Sequence, residues 1–208
     1  VRISGGNTHI EGESFSADAG VMMARVATEA AKAGLSGFEW AIGVPGTIGG
    51  SVRGNAGCFG SEIKDVVESV DIYDSSGATR YTLHTARCKF GYRDSIFKKH
   101  PEFIILSATL KLRKNDNSKI QERIKLLSAE RTQKQDIGTK SCGCIFKNIS
   151  WSRKDIDKSK LLVKFPEFKQ FADKPNIPAS YLIDAAGLKG KKIGKVFVSP
   201  KHANFFIN

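Results

Sequence analysis

An α+β fold is the expectation for these 208 residues, and three observations predict it. Helix-like and strand-like stretches are mixed without a regular βαβ rhythm. Two β-like runs, 66–73 and 79–83, flank the turn-forming Asp74-Ser75-Ser76-Gly77 and read as a hairpin. Residues 105–113 alternate cleanly, which marks a half-buried strand.

From the amino end, residues 1–15 carry short β-like runs around His9 and Phe15. An alanine-rich helix is expected over 21–33, closed by Gly34 at its C-terminus. Seven of the chain's 20 glycines then fall within residues 42–60. Glycine serves where backbone takes positive φ or approaches another group closely, so this run reads as backbone wrapped against a flat or phosphorylated ligand. After the hairpin, the 105–113 strand places Leu106, Ala108, Leu110 and Leu112 on one face. Polar Lys114-Asn115-Asp116-Asn117 follows and divides the chain into domains 1–115 and 116–208. A capping box at 118–121 opens a helix with Ile120, Ile124 and Leu127 on one side. A short helix over 179–186 follows Pro178 and stops at Gly187, and strands are expected near 193–198 and 205–207. Both chain ends read as interrupted strands, so a piece of a longer protein is expected.

The net charge of +12 and pI near 9.6 point to anionic partners, either nucleic acid or phosphorylated small molecules. No RNA-binding aromatic signature or zinc-finger spacing supports nucleic acid. No stretch reaches the roughly 18–20 apolar residues of a membrane span and no signal peptide opens the chain. The expectation is therefore a cytoplasmic protein without membrane insertion. The four cysteines are expected as reduced thiols, and the Cys142-x-Cys144 pair lacks the partners of a zinc site.

Three segments could carry chemistry. The glycine-rich run contains Val44-Pro45-Gly46-Thr47-Ile48-Gly49-Gly50 and Asn55-Ala56-Gly57. It matches neither common phosphate loop, though a nest of backbone N–H groups can still bind an anion. Gly91-Tyr92-Arg93 with Ser95-Ile96-Phe97-Lys98 is the second. Ser141-Cys142-Gly143-Cys144 with Phe146-Lys147-Asn148, preceded by Arg131 and Lys134, is the third. Each alone is accounted for by packing or a solvated surface.

In this order, together with Ile177-Pro178-Ala179, Ala186-Gly187-Leu188-Lys189-Gly190 and Val198-Ser199 through Lys201-His202-Ala203-Asn204-Phe205, the motifs closely resemble the UDP-N-acetylenolpyruvoylglucosamine reductases over nearly the whole chain. The resemblance implies an FAD-binding α+β domain followed by a smaller α+β substrate domain. It also implies an oxidoreductase of peptidoglycan synthesis that uses FAD and NADPH to reduce the enolpyruvyl ether of a UDP-sugar to UDP-N-acetylmuramate, as a monomer. Val44, Pro45, Gly46, Thr47, Gly49, Gly50, Asn55, Ala56 and Gly57 then lie against FAD, their backbone serving the flavin and pyrophosphate. Arg93 stabilises the enolate formed on hydride addition, and Tyr92, Lys134 and Asn148 hold substrate. Cys144 stands where the family has a serine proton donor. A thiol, with unperturbed pKa about 8.5, is a better acid than a hydroxyl. The family's early Gly-Ser-Asn loop and its late catalytic glutamate fall outside residues 1–208. A non-catalytic flavin- or UDP-sugar-binding remnant is the alternative. His202 reads as structural.

Overall fold

The computed structural model describes residues 3–208. The chain divides into two compact units, the first closing at Glu130 and the second spanning Arg131–Asn208. Both mix helices with antiparallel strands, and the class is α+β as the sequence predicts.

The first unit is built on five strands: β1 (Thr8–Glu11), β2 (Ser14–Asp18), β3 (Val67–Asp74), β4 (Thr79–His84) and β5 (Phe103–Lys111). They are antiparallel in the order β1-β2-β5-β3-β4, so the central strand is the one that alternates most clearly in sequence. Helix α1 (Met23–Lys32) buries Met23, Val26, Ala27, Ala30 and Ala31. These recur at the helical period and form one apolar stripe. Its core also takes in Phe15, Phe38, Ile48, Val52, Ile72 and Leu110. The short helices α2 (Ile48–Gly54) and α3 (Ile96–Lys99) contribute Val52 and Phe97 to it.

One face assignment on β5 is corrected. Ala108, Leu110 and Leu112 are buried as expected, but Leu106 is only half-buried and Ile105 points inward in its place. The register of β3 against β5 shifts between the Asp71–Ser107 and Ile72–Ile105 pairs. Leu106 is therefore the extra residue of a β-bulge, which reverses the phase of every residue before it. Its carbonyl accepts from Ala19 N at 2.8 Å.

Helix α4 (Asn117–Lys134) begins one residue before the expected capping box. The Asp116 carboxylate accepts from both the N–H and the hydroxyl of Ser118, at 2.7 and 2.6 Å. Asp116 is thus the cap, and Ser118 is a donor to it. These bonds hold the Asp116 carboxyl below the ordinary aspartate range. Ile120 and Leu127 are buried and Ile124 half-buried, and Arg131 continues the same stripe. The polar segment 114–117 leads into this helix, while the first unit extends along it to Glu130.

In the second unit, β6 (Ile149–Ser150) pairs with β7 (Asn176–Ile177). Helices α5 (Lys158–Lys164) and α6 (Ala179–Ala185) accompany a core of Phe168, Phe171 and Ile177. Trp151 packs on that core and donates from Nε1 to the Phe171 carbonyl at 2.9 Å. The single strand expected at 193–198 is instead a hairpin, β8 (Lys192–Ile193) and β9 (Val196–Val198), with β10 (Phe206–Ile207) on its other side. Gly194, at φ +59°, turns the chain between the first two.

Candidate functional site

The glycine-rich run is partly helix, which the sequence reading missed. Thr47 caps α2, its hydroxyl accepting from Gly50 N at 3.4 Å, and Asn55 ends it at φ 43° in the left-handed region. The first-turn amides are spent internally: Ile48 N donates to Val21 O and Gly49 N to Ala19 O, both at 2.9 Å. These amides therefore each have an acceptor within the fold.

The glycines themselves divide by purpose. A Cβ on Gly49 would stand 2.8 Å from the Ala19 Cβ, so the residue is glycine because α2 packs tightly on the end of β2. A Cβ on Gly57 would stand 2.5 Å from Ser61 O, in the tight pairing of Gly57–Cys58 with Ser61–Glu62. Gly50 differs, since its Cβ would meet only the Thr47 hydroxyl, at 3.6 Å. That open side belongs to a cavity of about 500 Å³ lined by Thr47, Gly49, Gly50, Arg53, Phe103 and Ile105, among others. An apolar wall, a bare glycine backbone and one guanidinium are a donor set that fits part of a flavin dinucleotide: flat ring against hydrocarbon, phosphate against cation. Of the remaining members of the run, Val44 packs against the core, Pro45 and Gly46 are exposed, and Ala56 is half-buried.

Asn55 is fully buried and ties this run to the arginine segment. Its amide donates to Gly91 O at 2.8 Å and to Glu62 Oε2 at 3.0 Å, and its oxygen accepts from Lys64 N at 3.2 Å. Arg93 returns the contact, donating to Asn55 O at 3.0 Å, Gly57 O at 2.5 Å and Glu62 Oε1 at 3.3 Å. Its guanidinium also lies over the half-exposed Tyr92 ring, 5.2 Å from the centroid. Lys98 donates to the Arg93 carbonyl at 2.7 Å, and buried Ser95 donates to Arg53 O at 2.7 Å. The structure thus brings Asn55, Gly57, Tyr92 and Arg93 together through Glu62, a residue with no signal in the sequence. The Glu62 carboxylate also bonds Lys64 at 2.8 Å and holds that ammonium above the ordinary lysine pKa.

In the second unit, the Cys144 segment is an exposed, irregular stretch clamped by Asn204. Cys144 bridges to Phe205, and Ile145 N donates to Asn204 O at 3.0 Å. The buried Asn204 side chain accepts from Phe146 N at 2.9 Å and donates to Phe146 O at 2.8 Å. Ser199, also buried, accepts from Lys201 N and His202 N at 3.0 and 2.9 Å and donates to Asp136, which folds the 199–205 loop. His202 Nδ1 is buried with no hydrogen-bond partner, and burial holds the imidazole pKa below its ordinary value. Asn148 accepts from Ala179 N at 3.2 Å, at the start of α6, and Lys134 is the last residue of α4. Asn204 and Ser199 lie inside the carboxyl-end motif, yet only their burial reveals the work they do.

The Cys88 thiol is buried and pushed up to about 11, so it is inert at neutral pH. Among the described residues no cluster of three metal-ligating side chains occurs and no helix is long and apolar enough to cross a membrane.

A five-stranded antiparallel sheet edged by a glycine-rich cradle, followed by a small α+β unit, places the chain in the FAD-binding α+β class. The family described as "FAD binding domain" matches residues 5–82. The family described as "UDP-N-acetylenolpyruvoylglucosamine reductase, C-terminal domain" matches residues 133–208. Curated relatives of that reductase name include those of Thermosipho melanesiensis, 33% identical over 96% of this chain and 59% of its own length, and Caldanaerobacter subterraneus, 35% identical over 97% and 58%. The Clostridium botulinum reductase is 35% identical over 98% and 58%. The crystal structure of the Thermus caldophilus reductase superposes with a TM-score of 0.71 at 31% identity, over 91% of this chain and 60% of that one. The chain is thus similar to the UDP-N-acetylenolpyruvoylglucosamine reductases over nearly all of its own length, and it spans a little under three-fifths of the curated relatives' length.

Proposed function

We propose that the chain supplies the FAD-binding and substrate-reducing parts of a reductase that converts UDP-N-acetylglucosamine enolpyruvate to UDP-N-acetylmuramate at the expense of NADPH. The observation that carries this reading is the collinear match: an FAD-binding domain, then the reductase C-terminal domain, in one chain at 33–35% identity to named reductases. When bound, FAD supplies the hydride that adds to the enol ether's β-carbon.

The chain's own residues then bind, orient and protonate. Gly50 admits the cofactor where any side chain would intrude, with Arg53 offering a cation to its phosphates. Arg93, preorganised by Asn55, Gly57 and Glu62, stabilises negative charge as it develops on the substrate's α-carbon and carboxylate. Cys144 delivers the proton to that carbon, from a segment that Asn204 clamps two residues further on. Tyr92, Lys134 and Asn148 hold polar groups of the UDP-sugar. Cytoplasmic location and a monomeric state belong to the same proposal.

Recombinant full-length protein tests the reading directly. Bound flavin, visible as its absorbance band, and NADPH consumption that requires the UDP-sugar enolpyruvyl ether are the expected results. Flavin or UDP-sugar binding without turnover would instead support a non-catalytic member of the family.

A further inference from the structure

We propose that Cys142 and Cys144 form a reversible intrachain disulfide across Gly143. Resting on the reading of Cys144 as proton donor, this bond would also switch off turnover. Both cysteines are exposed and neither is in a disulfide in the reduced structure, whereas Cys88 is buried and inert and Cys58 is half-buried.

Geometry favours the bond. In a fully extended strand, residues i and i+2 have Cα atoms about 6.6 Å apart, at the upper limit of the roughly 4.4–6.8 Å that a disulfide tolerates. The chain bends at Gly143, which lies at φ +85°, and a bend shortens that separation. A Cβ at Gly143 would meet nothing within 4 Å, so packing does not demand glycine here and its conformation is the reason for it.

The two thiols also differ in how firmly they are held. The Cys144 side is clamped through the Asn204 bonds to Ile145 and Phe146. The Cys142 side carries short-range contacts, Gly143 N to the Ser141 hydroxyl and Ser141 N to Thr139 O, with Asn208 N on Lys140 O a longer link. Cys142 can therefore move to a fixed Cys144.

The chemistry balances with a low-molecular-weight disulfide such as oxidised glutathione as oxidant. The Cys142 thiolate attacks one of its sulfurs, the S–S bond breaks, and one glutathione thiolate leaves. The Cys144 thiolate then attacks the Cys142 sulfur, forming the intrachain bond and expelling nothing but the second glutathione. Two electrons pass to the oxidant, and the two protons lost by the cysteines end on the released thiols. A bond closed over so short a segment, and exposed, is easily reduced again, the property of regulatory disulfides.

Cleavage after lysine yields one peptide, 141–147, that carries both thiols and no other cysteine. The whole protein is equilibrated with oxidised and reduced glutathione, quenched by alkylation, digested and weighed. The expected product is that peptide two hydrogens lighter and unalkylated, returning to the doubly alkylated form after dithiothreitol. Cys142→Ser should abolish this species and leave turnover of the reduced protein unchanged. Wild-type turnover should fall at least tenfold on oxidation and recover on reduction. If glutathione adducts alone appear on the wild-type peptide, the disulfide is refuted whatever the activity. If the disulfide forms and turnover persists, the switch is refuted, and with it the proton-donor role of Cys144.

Discussion

Asn55 and Arg93 hold one another in place across 38 residues of sequence. The buried Asn55 amide donates to the carbonyl of Gly91, and the Arg93 guanidinium donates back to the carbonyl of Asn55 at 3.0 Å. Both residues take positive φ, 43° and 51°, without being glycine. Such backbone costs about 1–2 kcal/mol per residue, and it persists here because each side chain reinforces the other's loop.

Asn55→Ala strands the Lys64 amide, leaves the Gly91 carbonyl with only its Asp94 N donor at 3.1 Å, and keeps a Cβ-bearing residue in the left-handed region. A loss of about 2–4 kcal/mol in urea unfolding is expected. Arg93 should also lose its orientation, so turnover should fall further than stability. A variant as stable as wild type would show that the lock is ornamental.

Gly49 and Gly50 are neighbours with opposite expected outcomes. Gly49→Ala drives a methyl into Ala19, 2.8 Å away, and should cost about 1–3 kcal/mol. Gly50→Ala has open space and sits inside a helix, so stability should hold or rise by up to about 1 kcal/mol. Flavin affinity should nonetheless drop in Gly50→Ala, measured by flavin fluorescence titration. Unchanged affinity there would remove Gly50 from the cofactor cradle.

Cys144→Ser should retain turnover, since a hydroxyl can carry the same proton, and should shift the alkaline limb of the pH profile. Cys144→Ala should reduce turnover by about 10²–10⁴-fold, the range of general acid catalysis. An alanine variant as fast as wild type would falsify the donor assignment.

His202 predicts an acid-sensitive second unit. Burial lowers its folded pKa, so in the window just below the unfolded value of about 6.5 the unfolded chain binds the extra proton. Its contribution is complete above that value and is lost as pH falls toward the folded pKa. Melting temperature should decline between pH 7 and 5.5 in wild type and decline less in His202→Gln. Parallel slopes for the two proteins would assign the acid sensitivity to carboxylates instead.

Much of the fold was legible locally. The alanine-rich helix α1, the 67–84 hairpin, the Ile120–Leu127 face and the helix after Pro178 follow from composition, period and turn chemistry acting within a few residues. The Leu106 bulge was not, because it is a property of how β5 pairs with β3 and leaves alternation in the sequence intact. The Asp116 cap was misassigned to Ser118 because both residues are good caps and only the helix's first hydrogen bond distinguishes them.

The sequence by itself determined the resemblance to the reductases, through motifs whose order along the chain is information in one dimension. It also singled out Arg93, Cys144 and the glycine run as the segments worth watching. Tertiary structure decided what each of those segments packs against and bonds to. It separated Gly49, packed on Ala19, from Gly50, open to the cavity, and it spent the first-turn amides of α2 inside the fold. It enlisted Glu62 and Asn204 as supports for Arg93 and the Cys144 segment. The physical reason is that hydrogen bonds and van der Waals contacts act over a few ångströms of space, and the partners they join here lie tens of residues apart in sequence.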